Sequence, residues 1–79
     1  MTEISCAMDI ILDTQEERDC FWVYGLVLEI FVPIPHYFEN YISVPRNNGY
    51  QFLHSVICGP EGKFMGLRIG TKRMIGSSQ

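Results

Sequence analysis

Two prolines, Pro33 and Pro35 in the stretch Val32-Pro33-Ile34-Pro35, place the firmest constraint on how this chain folds. Proline has no backbone N–H and drives the residue before it out of the helical region, so no helix runs through this stretch. The residues upstream predict a helix that stops there. Cys20, Val23, Tyr24, Val27, Ile30 and Phe31 recur at helical spacing and form an apolar stripe that needs a surface to cover it. Thr14, with Glu17 three positions later, fits a capping box at the helix start. Acids crowd that first turn, where the helix dipole favours them.

On either side of this helix the pattern is that of strands. Ile4, Cys6, Met8, Ile10 and Leu12 alternate at period two, and the consecutive Ile10, Ile11 and Leu12 point to burial on both faces near the strand end. After the prolines, residues 41–44 read as a short strand and residues 45–49, Pro-Arg-Asn-Asn-Gly, as a turn. Residues 52–58 and 64–69 read as two strands joined by Gly-Pro-Glu-Gly, with proline at the first central position of a hairpin turn. A helix can begin at residues 71–74, and the last four residues resemble a frayed tail. The order β-α-β-β-β predicts the α+β class: a mixed four-stranded sheet with one main helix packed on one face. The opposite face is left open.

Seventy-nine residues make one domain at most. Such a chain buries only about 60% of its unfolded surface, yet 47% of its residues are hydrophobic. That excess points to a homo-oligomer or to a covering segment. The net charge is −3, with six basic residues set against nine acids, which argues against nucleic acid and against a polybasic membrane contact. Cys6, Cys20 and Cys58 fit neither zinc spacing nor a disulfide framework, and are expected to be buried free thiols in a reducing compartment. No secretory signal is visible, and the longest apolar run, residues 20–35, is broken by Gly25 and Glu29. It falls short of the ~20 apolar residues that a membrane span needs. The expected location is the cytoplasm.

The residues best suited to chemistry cluster at the turn. Arg46, Asn47, Asn48, Gly49, Tyr50, Gln51 and His54 bring together a cation, amides, an aromatic ring and an imidazole. A tyrosine can stack on a purine, amides can read its edge, and an arginine can hold phosphate by charge-assisted hydrogen bonds. The same residue types also serve an ordinary turn, with Tyr50 capping the core. Residue types alone leave both readings open.

Order and spacing add a resemblance. Residues 41–62, YISVPRNNGYQFLHSVICGPEG, resemble the pattern D-Y-I-x-x-P-K-x-N-G-Y-Q-S-L-H-T-x-V-x-G-P-x-G of the RelA/SpoT alarmone synthetases, and RIGTKRM at residues 68–74 resembles that family's Q-I-R-T-x-x-M. The acidic start and Pro-x-Pro exit of the helix resemble the family as well. The resemblance implies the C-terminal, guanine-nucleotide side of a nucleotidyltransferase-like synthetase domain that moves pyrophosphate from ATP to GTP or GDP, making (p)ppGpp. It implies that Tyr50 stacks on guanine, that Asn48, Gln51 and His54 shape the same pocket, and that Arg46 meets phosphate.

The departures from that pattern fall on the catalytic positions. Gly66 stands where the family has the glutamate that acts on the acceptor hydroxyl, and losing a general base costs about 10²–10⁴-fold in rate. Arg68 replaces a glutamine, Gly70 an arginine and Glu39 a lysine. Ile4 takes the place of the magnesium-binding aspartate, leaving Glu3 as a neighbouring candidate ligand, and Asp9 replaces an arginine. The resemblance starts at the metal strand, so the expectation is one truncated domain over residues 1–79, catalytically degenerate. It would need no cofactor, with magnesium required only if the chain is active. Its expected partners are GTP, GDP or ppGpp, a second copy, or a full-length RelA/SpoT relative. Two alternatives stand beside it: a minimal GTP pyrophosphokinase using Glu3, Asp9 or Asp13, and an inactive fragment that only self-associates.

Overall fold

The computed structural model describes residues 4–46 and 49–76. Along the chain run β1 (Ile4–Leu12), α1 (Arg18–Leu28), β2 (Val32–Pro33), β3 (Glu39–Asn40), β4 (Leu53–Cys58) and β5 (Phe64–Thr71). A 3₁₀ turn (Pro60–Gly62) joins β4 to β5, and a single π-helical turn (Lys72–Gly76) follows β5. The sheet order is β1-β5-β4-β2, with β3 also paired to β4. β1 is parallel to β5, and every other pairing is antiparallel, so this is a mixed α+β domain.

The parallel pair dictates the rest. Parallel strands cannot be joined by a tight turn, and here the chain between β1 and β5 carries α1 across the sheet and then lays down the β4–β5 hairpin. Period-two alternation sends Leu53, Ser55 and Ile57 of β4 to the same side as Leu67 and Ile69 of β5. On this side Cys20 is fully buried, and Val23, Tyr24, Val27 and Phe31 of the helical stripe pack against the core. Each large apolar side chain buried there contributes about 1.5–3 kcal/mol. The Tyr24 hydroxyl lies 3.1 Å from Ser55 Oγ, which gives a buried hydroxyl its partner. Thr71 Oγ1 accepts from Met74 N at 3.2 Å and starts the closing turn.

Several local expectations are corrected. Residues 41–44 form a turn rather than a strand, because Asn40 Oδ1 accepts from both Ile42 N and Ser43 N at 3.0 Å. Such an Asx turn offers the backbone an alternative to the ladder. Among the described residues the sheet thus has five strands, two of them of two residues each. The capping box is absent: Thr14 Oγ1 accepts from Glu16 N and donates to Asp19 Oδ2, and α1 starts later, after Glu17, with no side-chain cap. At the other end, Ile30 N and Phe31 N both donate to Val27 O, after which Val32 and Pro33 turn away to pair with β4. Tertiary pairing overrides helix propensity there. Cys20 is a buried free thiol as expected, but Cys6 is exposed, because β1 is the outer strand, and Cys58 is half-buried. Among the described residues no helix is long and apolar enough to cross a membrane.

Candidate functional site

The sheet face opposite α1 is built by the other half of each strand alternation. Ala7 and Asp9 of β1, Gly66 and Arg68 of β5, His54 of β4 and Glu39 of β3 line an open concavity of about 660 Å³, with Phe52, Tyr41 and Arg46 on its walls. That volume falls in the range of small-molecule pockets, roughly 300–1,000 Å³. Register aligns its polar floor. Asp9 is paired with Arg68, Arg68 with His54, and His54 with Glu39, so four side chains form one row across four strands.

The row is held by hydrogen bonds. Arg68 grips Asp9 with two of them, Nε to Oδ1 at 3.1 Å and Nη2 to Oδ2 at 2.6 Å. The bond from Arg68, above all, holds the Asp9 carboxyl below its ordinary value, and the same bond raises the Arg68 guanidinium. At the far end the Tyr41 hydroxyl donates to Glu39 Oε1 at 2.6 Å, and His54 Nδ1 lies 3.8 Å from the same oxygen. Donation to Glu39 is the main reason the Tyr41 phenol titrates above its usual value. Two cations lie on aromatic faces: Arg68 is 5.3 Å from the Phe52 ring centroid and Arg46 is 5.4 Å from that of Tyr41.

The sequence-predicted residues separate here. Arg46 and His54 line the concavity. Tyr50 lies in a small adjoining cleft of about 60 Å³ that shares Phe52 and Arg68 with it. Gln51 is half-buried and donates Nε2 to Ile42 O at 3.1 Å, tying the turn after β3 to the start of β4. Asn48 and Glu3 lie outside the described residues. On either side of residues 47 and 48, which lie outside the described residues, Gly49 N donates to Arg46 O at 2.8 Å, and Gly49 takes φ +83°, a conformation that glycine tolerates. Asp13, offered as a substitute carboxylate, stands 3.7 Å from Lys72 and does not line the concavity.

Phe52 and Tyr41 were not among the candidate site residues; Glu39 and Arg68 were read as departures from the family pattern, and Asp9 as a departure and a substitute carboxylate. The alternation of Phe52 with His54, and of Gly66 with Arg68, carried the signal for one face of the hairpin. The pairing of Asp9 with Arg68 is non-local, and no spacing in the sequence announces it. Gly70 has a structural duty instead. A Cβ there would meet Ile75 Cδ1 at 2.7 Å, so the glycine lets the closing turn pack onto β5.

A mixed sheet with a helix on one face and a polar, aromatic-walled concavity on the other makes a small α+β domain. Known proteins sharpen that class. Residues 2–79 match the region found in RelA / SpoT proteins. The chain is 40% identical over 60 residues to a GTP pyrophosphokinase of Photobacterium angustum, covering 76% of this chain and 8% of that protein. It is 33% identical over 81 aligned positions to the GTP pyrophosphokinase of Escherichia coli K12, covering 94% of the chain and 11% of the relative. It is 41% identical over 59 residues to the bifunctional (p)ppGpp synthase/hydrolase RelA of Mycobacterium tuberculosis, covering 75% and 8%. The chain belongs to the RelA/SpoT family, and it spans about a tenth of the length of these curated relatives.

Proposed function

We propose that this chain is a RelA/SpoT-family module, linked to (p)ppGpp metabolism, whose open sheet face binds a guanine nucleotide without transferring pyrophosphate. The observation that carries this reading is the concavity itself: Arg46, Phe52 and His54, from the nucleotide-like segment, line the same hollow as Gly66. Aromatic faces on Phe52 and Tyr41 suit a purine ring, and Tyr50 stands at the adjoining cleft. Against catalysis stands the chemistry of the floor. Gly66 has no group to take a proton from the acceptor hydroxyl. One carboxylate of the lining, Asp9, is gripped by Arg68 and is a weaker base for it. The reading asks for no magnesium, because Ile4, at the metal-aspartate position of the family pattern, has no group to ligate it.

Calorimetric titration with GMP, GDP and GTP tests the binding, with adenosine nucleotides and the Tyr50→Ala variant as controls. Guanine-dependent heat weakened by Tyr50→Ala supports the reading. No heat at millimolar ligand, or equal binding of adenine, rejects it. Incubation with ATP and labelled GTP tests the second half, and a new 3′-pyrophosphorylated product would contradict it.

A second reading, a module that self-associates, is favoured by exposed apolar side chains and an open strand edge. Trp22 is 67% exposed, Ile30 73% and Val32 67%, all apolar. The outer edge of β1 has no strand paired to it among the described residues, and such an edge is a template for another chain. Sedimentation separates the two readings: a monomer at high concentration argues against this one.

A further inference from the structure

The charges around the concavity specify what kind of guanine ligand it takes, an inference that rests on the reading just given. Asp9 and Glu39 each bring a negative charge to the lining and Arg46 and Arg68 each a positive one, so with His54 counted neutral the lining sums to zero among the described residues. The two cations are not equally available. Arg68 is engaged by both oxygens of Asp9 and lies on the Phe52 ring. A ligand phosphate reaching for Arg68 must displace a bidentate carboxylate, the partner that best matches a guanidinium fork. Glu39, fixed by the Tyr41 hydroxyl and 3.8 Å from His54, holds a second carboxylate at the β3 side of the hollow. Among the described residues a polyphosphate there meets two carboxylates and one guanidinium not gripped by a carboxylate, that of Arg46 on the Tyr41 ring. The aromatic walls are indifferent to phosphate number.

We infer that the concavity selects guanine ligands of low charge, the nucleoside or its monophosphate, and disfavours the tri- and tetraphosphates, with Asp9 and Glu39 as the specificity-determining residues. Asp9 acts by occupying Arg68, and Glu39 by direct repulsion. Each effect is electrostatic, so the discrimination weakens as salt rises.

Calorimetric titration of the wild-type chain with guanosine, GMP, GDP and GTP at low salt tests this, alongside Asp9→Asn and Glu39→Gln, each checked for folding by circular dichroism. The expected result is that guanosine and GMP bind more tightly than GTP in the wild type. In each variant the affinity for GTP rises about tenfold relative to guanosine, equivalent to about 1.4 kcal/mol. Having two variants keeps the test decisive if one of them does not fold. Tighter binding of GTP than of guanosine in the wild type overturns this inference and leaves the nucleotide-binding reading standing. So does the expected order persisting unchanged in the folded variants, since the carboxylates would then not be its cause. Absence of binding by every guanine ligand overturns both.

Discussion

Asp9 and Arg68 face each other across the parallel β1–β5 pair and are joined by two hydrogen bonds, the shorter 2.6 Å. They are 59 positions apart in sequence, so this contact ties the first strand to the last and forms the floor of the concavity. Both side chains are about 40% exposed, and solvent screening limits such a pair to roughly 0.2–1 kcal/mol.

The sign of its pH dependence follows from the depressed Asp9 carboxyl. The pair's contribution is complete above the unfolded-state value of about 3.9 and is lost as pH falls through the lower folded-state value. Asp9→Asn is therefore expected to lower stability by about 0.2–1 kcal/mol at pH 7. The difference should shrink toward zero at strongly acid pH, below the folded-state value. Urea denaturation of both proteins at the two pH values checks this.

Tyr41 reports on the opposite end of the row. Its phenol titrates high chiefly because it donates to the Glu39 carboxylate. Glu39→Gln removes the negative charge and should bring the Tyr41 titration back toward the ordinary tyrosine range near 10. An NMR titration of the ring resonances, resolved from the other three tyrosines, measures it. An unchanged midpoint would show that Glu39 does not hold the hydroxyl.

Gly70 leaves room for the tip of the Ile75 side chain. In Gly70→Ala the new methyl would sit 2.7 Å from Ile75 Cδ1 and 2.8 Å from Cγ1, and the crowding is expected to cost about 1–3 kcal/mol. In an Ile75→Ala background the same substitution should cost clearly less, because the clashing atoms are gone. Thermal denaturation of the four proteins in this cycle reads the coupling.

The cysteines should separate by reactivity. Cys20 is fully buried, and its thiol is pushed up by burial first and then by the carboxylates of Asp19 and Glu17. Cys6 is exposed on the outer strand. Brief alkylation of the native protein followed by mass spectrometry should label Cys6 at least ~100-fold faster than Cys20. Comparable rates would contradict the placement of α1 over the sheet.

What the sequence disclosed and what it hid divide along a physical line. β1 was legible with its bounds, because alternation over nine residues with no glycine or proline has one good reading. The β4–β5 hairpin was legible too, because a Gly-Pro-Glu-Gly turn separates two apolar runs. Residues 41–44 misled, because β-branched and aromatic composition outweighed the Asn40 side chain that closes a turn over them. Thr14 misled in the same way, by hydrogen-bonding within its own loop instead of capping a helix. The segment carrying Arg46 and His54 was found from residue types and order. Its partners Asp9 and Glu39 were read as departures from a pattern, with Asp9 also a substitute carboxylate, and their place in one row with Arg68 and His54 was hidden because strand register is not local information.

The central claim is that the open sheet face, and not another surface, receives a guanine nucleotide. Backbone amide shifts of the ¹⁵N-labelled chain, followed while GMP is added, test it most directly. The account predicts saturable changes concentrated at Arg46, Tyr50, Phe52, His54, Gly66 and Arg68, with α1 unmoved. Changes centred on Trp22 and Leu26 of α1, or none at millimolar GMP, would contradict it.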